Sequence, residues 1–215
     1  MLRKIVSERI GLLLAVLILA SVSGGLYFYR NANRSANENV IQQTLDELSP
    51  EVEKVVGKKL SLIENLATND VIVSETLSQS IKNATLTTKQ IEKLDEDWLT
   101  NRGGFVDGYL TNKVAFELLE FQELNPGFPE IFVTDSKGLN VGQTNKTSDY
   151  YQADEKWWID AYADGVGKSY HGDIEYDESA QSESVSLYVP VIGSEGKVVG
   201  IIKAVMDIRA IEREL

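Results

Sequence analysis

Cysteine is absent from this 215-residue chain, and histidine occurs once, at position 171. Without cysteine the chain has neither a disulfide framework nor a thiolate zinc site. A zinc site would have a single histidine ligand, so His171 is interpreted as a surface or pocket-edge residue. The sequence therefore predicts no bound metal and no cofactor.

Basic residues are scarce relative to acidic ones, with 21 Lys and Arg against 33 Asp and Glu, a net charge of −12. Nucleic-acid binding needs clustered Lys and Arg, so nucleic acid is excluded as a partner. The negative charge weakly favours cationic ligands or ions. A hydrophobic content of 43% and a charged content of 25% are typical of a folded protein.

The motifs of several enzyme classes are also missing. The sequence contains no nucleophile elbow, no phosphate-binding loop and no cluster of metal ligands. We therefore predict that the chain is not an enzyme. The enzymatic alternative is a secreted hydrolase that uses two carboxylates, such as Glu155 and Asp177, as acid and base.

The segment from Ile10 to Tyr29 contains no charged residue. A helix of about 20 residues, rising ~1.5 Å per residue, spans a hydrocarbon core of ~30 Å. A small excess of basic residues before the segment favours an N-terminus on the inside. We predict a cytoplasmic N-terminus at 1–9 and a transmembrane signal anchor at 10–29, with a cleaved signal peptide as the alternative. Both place the remainder outside the cytoplasm, and the anchor predicts a cell-membrane protein with a single span in this chain.

Residues 30–124 are predicted to be mainly helical. Apolar residues recur at alternating steps of three and four up to about Thr68, and Ser49-Pro50 has the pattern of a helix N-cap followed by proline. This apolar seam either pairs with the same helix of a second subunit, giving a homodimer, or packs on its own domain. Further helices are predicted at 71–80, 88–99 and 105–124, with a firm stop at 125–129.

Beyond Pro129 the apolar period changes to two. A helix capped by Ala153 or Asp154 and ending at Asp164-Gly165 separates two strands from three later ones. The last strand is nearly all apolar, which is typical of a central strand covered on both faces. Short turns join neighbouring strands, so the fold is predicted to be α+β with an antiparallel sheet of about five strands. The strands are predicted at 130–134, 139–144, 168–176, 183–191 and 197–207, within a sheet region of 125–208, and 209–215 begins another helix.

Three stretches, taken in order, resemble the extracytoplasmic Cache domains: IFVTDSKGLNVGQTNKTSDYYQADEKWW, GDIEYDES, and the GKVVGIIKAVMDI strand that follows Pro190. Cache domains are PAS-like sensors of bacterial and archaeal chemoreceptors, histidine kinases and cyclic-nucleotide enzymes. The resemblance covers about residues 31–215. It implies a long N-terminal helix leading from the membrane, a PAS-like sheet, and a small-molecule pocket between the sheet and an overlying helix. It also implies a second membrane span and a cytoplasmic output domain, so the chain is expected to be a fragment of a receptor.

The resemblance also bears on the ligand. Cache domains that bind amino acids carry an Arg-x-Trp-Tyr-like element whose arginine grips the ligand carboxylate, and the matching run here is Glu155-Lys156-Trp157-Trp158. With Glu155 in the place of that arginine, the resemblance implies a pocket without its anion-binding side. A later Tyr-Asp element, which holds the ligand ammonium in those relatives, has its counterpart in Tyr176-Asp177. We therefore predict that an amine, a neutral molecule or a cation is favoured over an amino acid.

The candidate ligand-binding residues are Tyr151, Trp157, Trp158, Asp173, Tyr176 and Asp177. The two tryptophans are adjacent on a helix and about 100° apart, so one is expected in the core and the other at the pocket. Asp173, Glu175 and Asp177 alternate along a strand, which suits an amine or Ca²⁺, although a solvated face explains the same pattern.

The predicted function is the extracytoplasmic, small-molecule-sensing domain of a transmembrane signal receptor. The alternative from another class is a membrane-tethered interaction module whose pocket is filled by its own side chains.

Overall fold

The computed structural model describes residues 48–177 and 182–215, which form helices around a five-stranded antiparallel sheet. The predicted α+β class and strand number are therefore confirmed. The segment predicted as a membrane anchor, 10–29, lies outside the described residues, and within them no helix is long and apolar enough to cross a membrane. The helices are α1 (Pro50–Leu66), α2 (Asp70–Asn83), α3 (Thr88–Leu99), α4 (Asp107–Leu110), α5 (Lys113–Leu124), α6 (Lys156–Tyr162) and α7 (Ile208–Glu212). The strands are β1 (Glu130–Asp135), β2 (Asn140–Gln143), β3 (Tyr170–Asp177), β4 (Ser182–Ile192) and β5 (Val198–Asp207).

The sheet has the order β2-β1-β5-β4-β3, and every pairing is antiparallel. The apolar strand β5 is therefore central, as its composition predicts. Its register places Lys203 between Phe132 of β1 and Tyr188 of β4. Residues paired directly across strands project from the same face, so these three side chains share one face of the sheet, here called the front face. The opposite face is called the back face.

Helix α1 packs on the back face. It begins as predicted, with Pro50 at its first position and the Ser49 hydroxyl accepting a hydrogen bond of 3.3 Å from the Val52 N–H. Its buried side chains join the main core, which includes Ile202 and Ala204 of the central strand. Within 50–66 the apolar seam thus packs on its own domain. The buried residues of α1 are Val55, Val56, Ile63 and Leu66.

The region 105–124, predicted as one helix, is two helices separated by a break. Asn112 causes the break because its side chain accepts a hydrogen bond from the Ala115 N–H and donates one to the Val141 carbonyl in β2. It therefore caps a new helix, α5, and ties that helix to the edge of the sheet. The predicted stop at 125–129 is confirmed, since α5 ends at Leu124.

Helix α6 starts later than predicted, with Glu155 rather than Ala153 or Asp154 at the N-cap. The preceding segment is held instead by the turn between β1 and β2, where the Gln152 N–H donates to the Gly138 carbonyl at 2.8 Å. Gly138 has a φ of +79°, and a Cβ there would lie 2.5 Å from that of Ala153. Backbone contacts with the turn thus hold the segment up to Gln152, and the helix begins after it. Helix α6 also ends early, at Tyr162, because the next two residues adopt left-handed φ angles of 46° and 53°.

Two smaller apolar clusters complete the molecule. On the front face, α6 packs Trp158 and Ala161 against Tyr188 and Ile201. Beside the edge strand β2, a second cluster places Trp98 of α3 against rings that include Tyr150. The fold thus has one main core behind the sheet and one helix, α6, lying across its front.

Candidate functional site

A cleft of about 290 Å³ opens on the front face, between α6 on one side and the edge strand β3 on the other. Its floor is formed by side chains of β4 and β5, including Ser184, Ser186, Tyr188 and Lys203. Charged groups of both signs meet in this cleft. A larger cavity of about 790 Å³ lies elsewhere, but its charged lining residues are only the acidic Glu64 and Asp70. We therefore place the candidate site in the smaller cleft, where groups able to orient a ligand converge.

The two adjacent tryptophans of α6 face different surroundings, as the helical angle between them predicts. Trp158 is in the core, where its ring stacks on Tyr162 at 4.6 Å and its Nε1 donates to the Thr134 hydroxyl at 2.9 Å. Trp157 lines the cleft and stacks on Tyr188, with ring centroids 5.2 Å apart and planes 14° apart. The Tyr170 hydroxyl donates to the Trp157 carbonyl at 2.9 Å, which fixes α6 to β3.

Acidic residues form the opposite wall. The register between β3 and β4 shifts between His171 and Ile174, and this bulge interrupts the simple alternation predicted for the strand. Asp173 and Glu175 nevertheless both line the cleft. The backbone of Asp177 ends β3, and its side chain lies outside the described residues.

The electrostatics of the cleft are visible at Tyr188. Burial raises the pKa of its hydroxyl, and the nearby carboxylates Glu175, Glu155 and Asp173 raise the pKa further. A hydrogen bond with Ser186 opposes part of this rise. Tyr188 is therefore a neutral donor and acceptor at ordinary pH, surrounded by negative charge. Such an environment favours a cationic group in the same space.

Lys203 is the functional candidate that the sequence prediction missed. Its ammonium nitrogen lies 5.2 Å from the ring centroid of Trp157 and 5.8 Å from that of Phe132. It is the basic residue that lines the cleft among the described residues. The sequence does contain a signal for Lys203, which is a single lysine in the middle of a predominantly apolar strand. Because a lysine is rarely buried in a sheet without a partner, its presence in the central strand indicates a role other than packing. The prediction from Glu155, that the pocket lacks an anion-binding side, did not take this lysine of β5 into account.

The structure brings together only part of the predicted site. Trp157, Asp173 and Tyr176 line the cleft, with Tyr176 exposed at its rim. Trp158 lies in the core instead. Tyr151 does not line the cleft either, because Asp95 of α3 accepts a hydrogen bond from its N–H at 3.2 Å and it forms a bridge with Leu139.

Within residues 48–177 and 182–215, no three His, Asp or Glu side chains are grouped so that they could hold a metal ion. Of the three carboxylates predicted along β3, only Asp173 and Glu175 have described side chains, whereas Ca²⁺ takes about six to eight oxygen ligands. The arrangement is better suited to an organic ammonium group, which needs one or two carboxylates and an aromatic surface.

No protein-family model and no curated protein matches the chain. Among solved structures, it is similar to the sensor domain of the Vibrio cholerae histidine kinase DctB, with 16% identity over 84% of this chain and 60% of that one and a TM-score of 0.39. It is also similar to the ligand-binding domain of the Pseudomonas fluorescens chemoreceptor CtaA in complex with L-serine, with 13% identity over 85% and 64% and a TM-score of 0.42. A third is that of the Pseudomonas aeruginosa amino acid chemoreceptor PctB in complex with L-Arg, with 12% identity over 75% and 53% and a TM-score of 0.38.

These structures are sensor or ligand-binding domains of a histidine kinase and of chemoreceptors, the class to which the sequence resemblance points. The chain spans between about half and two thirds of the length of these three domains.

Proposed function

We propose that the chain is the extracytoplasmic, small-molecule-sensing part of a transmembrane signal receptor, held in the cell membrane by residues 10–29. The observation that carries this proposal is the front-face cleft, in which Trp157 stacked on Tyr188 stands opposite the carboxylates of Asp173 and Glu175. A few convergent polar groups around an aromatic surface are what a small-molecule site requires. The proposed role is binding rather than catalysis.

The ligand proposed for this cleft carries a cationic group. The supporting evidence is that the carboxylates of Glu155, Asp173 and Glu175 line the cleft, where burial first and then their charges raise the pKa of Tyr188. An ammonium group would gain charge-assisted hydrogen bonds from Asp173 or Glu175 and a contact with the Trp157 ring. The Asp177 side chain, implied by the Cache resemblance, is proposed to join them.

Signalling would follow from closure of the cleft. Helix α6 and strand β3 form its two walls, and β5 forms its floor and continues directly into α7. Helix α7 packs beside α1, where Lys59 and Glu214 form an ion pair. A ligand that draws α6 toward β3 would shift the population between two packings of α7 against α1, the first helix of the described residues.

A thermal-shift screen of the full chain, kept in detergent, tests the proposal with amines, amino acids, organic acids, nucleobases and Ca²⁺. A ligand at ~100 times its dissociation constant stabilises a fold by about 2.7 kcal/mol, which such a screen detects. We expect a selective shift that is lost in Asp173→Asn and Glu175→Gln. The control Asp154→Asn removes a neighbouring exposed carboxylate that does not line the cleft and should retain the shift.

A non-binding interaction module is the second candidate, and one observation favours it. The cleft of about 290 Å³ is at the lower end of the range for ligand sites, because the rings of Trp157, Tyr188 and Tyr170 fill part of the front face. Absence of any shift from a well-folded chain across the whole panel would favour this module over a sensor.

A further inference from the structure

The ammonium group of Lys203 lies at the floor of the cleft, and it has no counter-ion among the residues that the structure describes. None of the ion pairs formed by residues 48–177 and 182–215 includes Lys203. Its neighbours are the faces of Trp157 and Phe132, which attract a cation but accept no conventional hydrogen bond from it. The group thus keeps its capacity to donate hydrogen bonds to a molecule that enters the cleft.

Moving an ammonium group out of water onto an apolar strand costs solvation free energy, and cation–π contacts offset only part of that cost. A lysine whose only task was packing would leave its charge in open water, with its stem on the apolar surface. Lys203 is instead half-buried, and its charged end lines the cleft. An incoming anionic group would supply the missing partner and form a charge-assisted hydrogen bond.

The negative charge of the other residues in the cleft restricts which anionic molecules can bind Lys203. Glu155, Asp173 and Glu175 also line the cleft, so a molecule carrying only negative charge would be repelled by three carboxylates while it gained one lysine. A molecule with an ammonium group as well satisfies both sides. Conversely, a plain amine leaves Lys203 unpaired and adds a second cation to the same small space.

We infer that Lys203 determines specificity by binding the anionic group of a small zwitterion, whose ammonium group faces the carboxylates of Glu155, Asp173 and Glu175. This inference rests on the proposed sensing function and narrows its ligand class. The residue that binds the anion is thus on the central strand, whereas the Cache resemblance places the anion-binding residue at the helix, in the position of Glu155. A carboxylate or a sulfonate meets the same requirement.

The test compares three matched probes on the full chain in detergent: amino acids from glycine to 6-aminohexanoate, their carboxamides and their parent amines. We expect the wild type to be stabilised most by one or more carboxylate forms. Lys203→Met keeps the apolar stem and removes the charge, so affinity for that form should fall at least about tenfold, to that of its carboxamide. Lys203→Arg should keep the preference. Lys197→Met removes an exposed lysine that pairs with Glu195 outside the cleft and should change nothing.

Each result has a distinct meaning. Equal affinity of the wild type for a carboxylate and its carboxamide, or a preference that survives Lys203→Met, overturns the role of Lys203 while leaving the sensor intact. Stabilisation by the parent amines alone also overturns the role of Lys203 and leaves the sensor intact. No stabilisation by any probe rejects the proposed ligand class and the role of Lys203 together. The melting temperature of each variant without ligand shows whether that variant folds. If Lys203→Met does not fold, the comparison of carboxylate with carboxamide on the wild type tests the role of Lys203.

Discussion

Asp135 is a fully buried carboxylate at the turn between β1 and β2. One oxygen accepts hydrogen bonds from the N–H groups of Lys137 at 2.8 Å and Leu139 at 3.0 Å, and the other accepts one from Nδ2 of Asn83 at 2.8 Å. Burial raises the pKa of Asp135 above its ordinary value of 3.8, and these hydrogen bonds oppose part of the rise. The carboxyl group therefore holds its proton more tightly in the folded state than in the unfolded state.

The raised pKa predicts a pH dependence of stability. Between pH 3.8 and the folded pKa, the folded state binds more protons, so this residue makes the free energy of unfolding fall as pH rises through that window. Asp135→Asn removes the titration and can keep the hydrogen bonds, because the Asn83 amide can turn to present its oxygen. Asp135→Ala leaves three donors unpaired and should cost about 1–3 kcal/mol. Urea unfolding from pH 4 to 7 measures both effects; equal stability of the two variants would contradict the assigned hydrogen bonds.

At the residue scale, the sequence predicts side-chain directions better than side-chain partners. The angle between Trp157 and Trp158 follows from helix geometry, so their separation into pocket and core was predictable. Which of them faces inward depends on Thr134, which lies 24 positions away and accepts the Trp158 N–H. Tyr151 is kept out of the cleft by Asp95, 56 positions away. Contacts of that range leave no local pattern in the sequence.

At the element scale, α1 and β3 are joined by the only histidine. The Nε2 atom of His171 lies 3.3 Å from a carboxylate oxygen of Glu53 in α1, and its Nδ1 lies 2.9 Å from the carbonyl oxygen of Gly172. Each ring nitrogen thus faces an oxygen that only accepts hydrogen bonds. The residue paired with His171 across on β4 is the apolar Leu187, and the contact with Glu53 links the ring to α1.

This contact predicts an energetic coupling between α1 and β3. Its contribution should stay below about 1 kcal/mol, since both side chains are partly exposed. A double-mutant cycle of His171→Gln and Glu53→Gln, read by chemical unfolding, measures the coupling. Strictly additive effects of the two substitutions would contradict a direct contact between the side chains.

Element boundaries were predictable where the signal is local. Ser49-Pro50 starts α1 and the residues 125–129 end α5, because a cap and the prolines act on their own neighbours. The break at Asn112 depends on the carbonyl of Val141 in a later strand, and the late start of α6 depends on Gly138. Those boundaries are set by tertiary contacts, so periodicity alone misplaces them.

At the scale of the whole molecule, α1 is part of the main core rather than an appendage. Ile63→Ala should therefore destabilise the entire described unit by about 2–5 kcal/mol, since Ile63 is fully buried against the back of the sheet. Tryptophan fluorescence, which reports on Trp98 and the front-face pair, and far-UV circular dichroism should shift together in urea. The neighbouring substitution Leu62→Ala lies on the exposed side of the same helix and should change stability by less than about 0.5 kcal/mol. Separate transitions would show that α1 and the sheet unfold independently.

The two faces of β5 belong to different parts of the protein. Even-numbered Ile202, Ala204 and Met206 fill the core behind the sheet, whereas odd-numbered Ile201 and Lys203 lie under α6 and in the cleft. New recognition properties can therefore arise at position 203 while the residues that maintain folding stay unchanged. For protein engineers, a small combinatorial library at Lys203, together with Glu155 and Asp173, is the economical route to a receptor that reports a chosen compound.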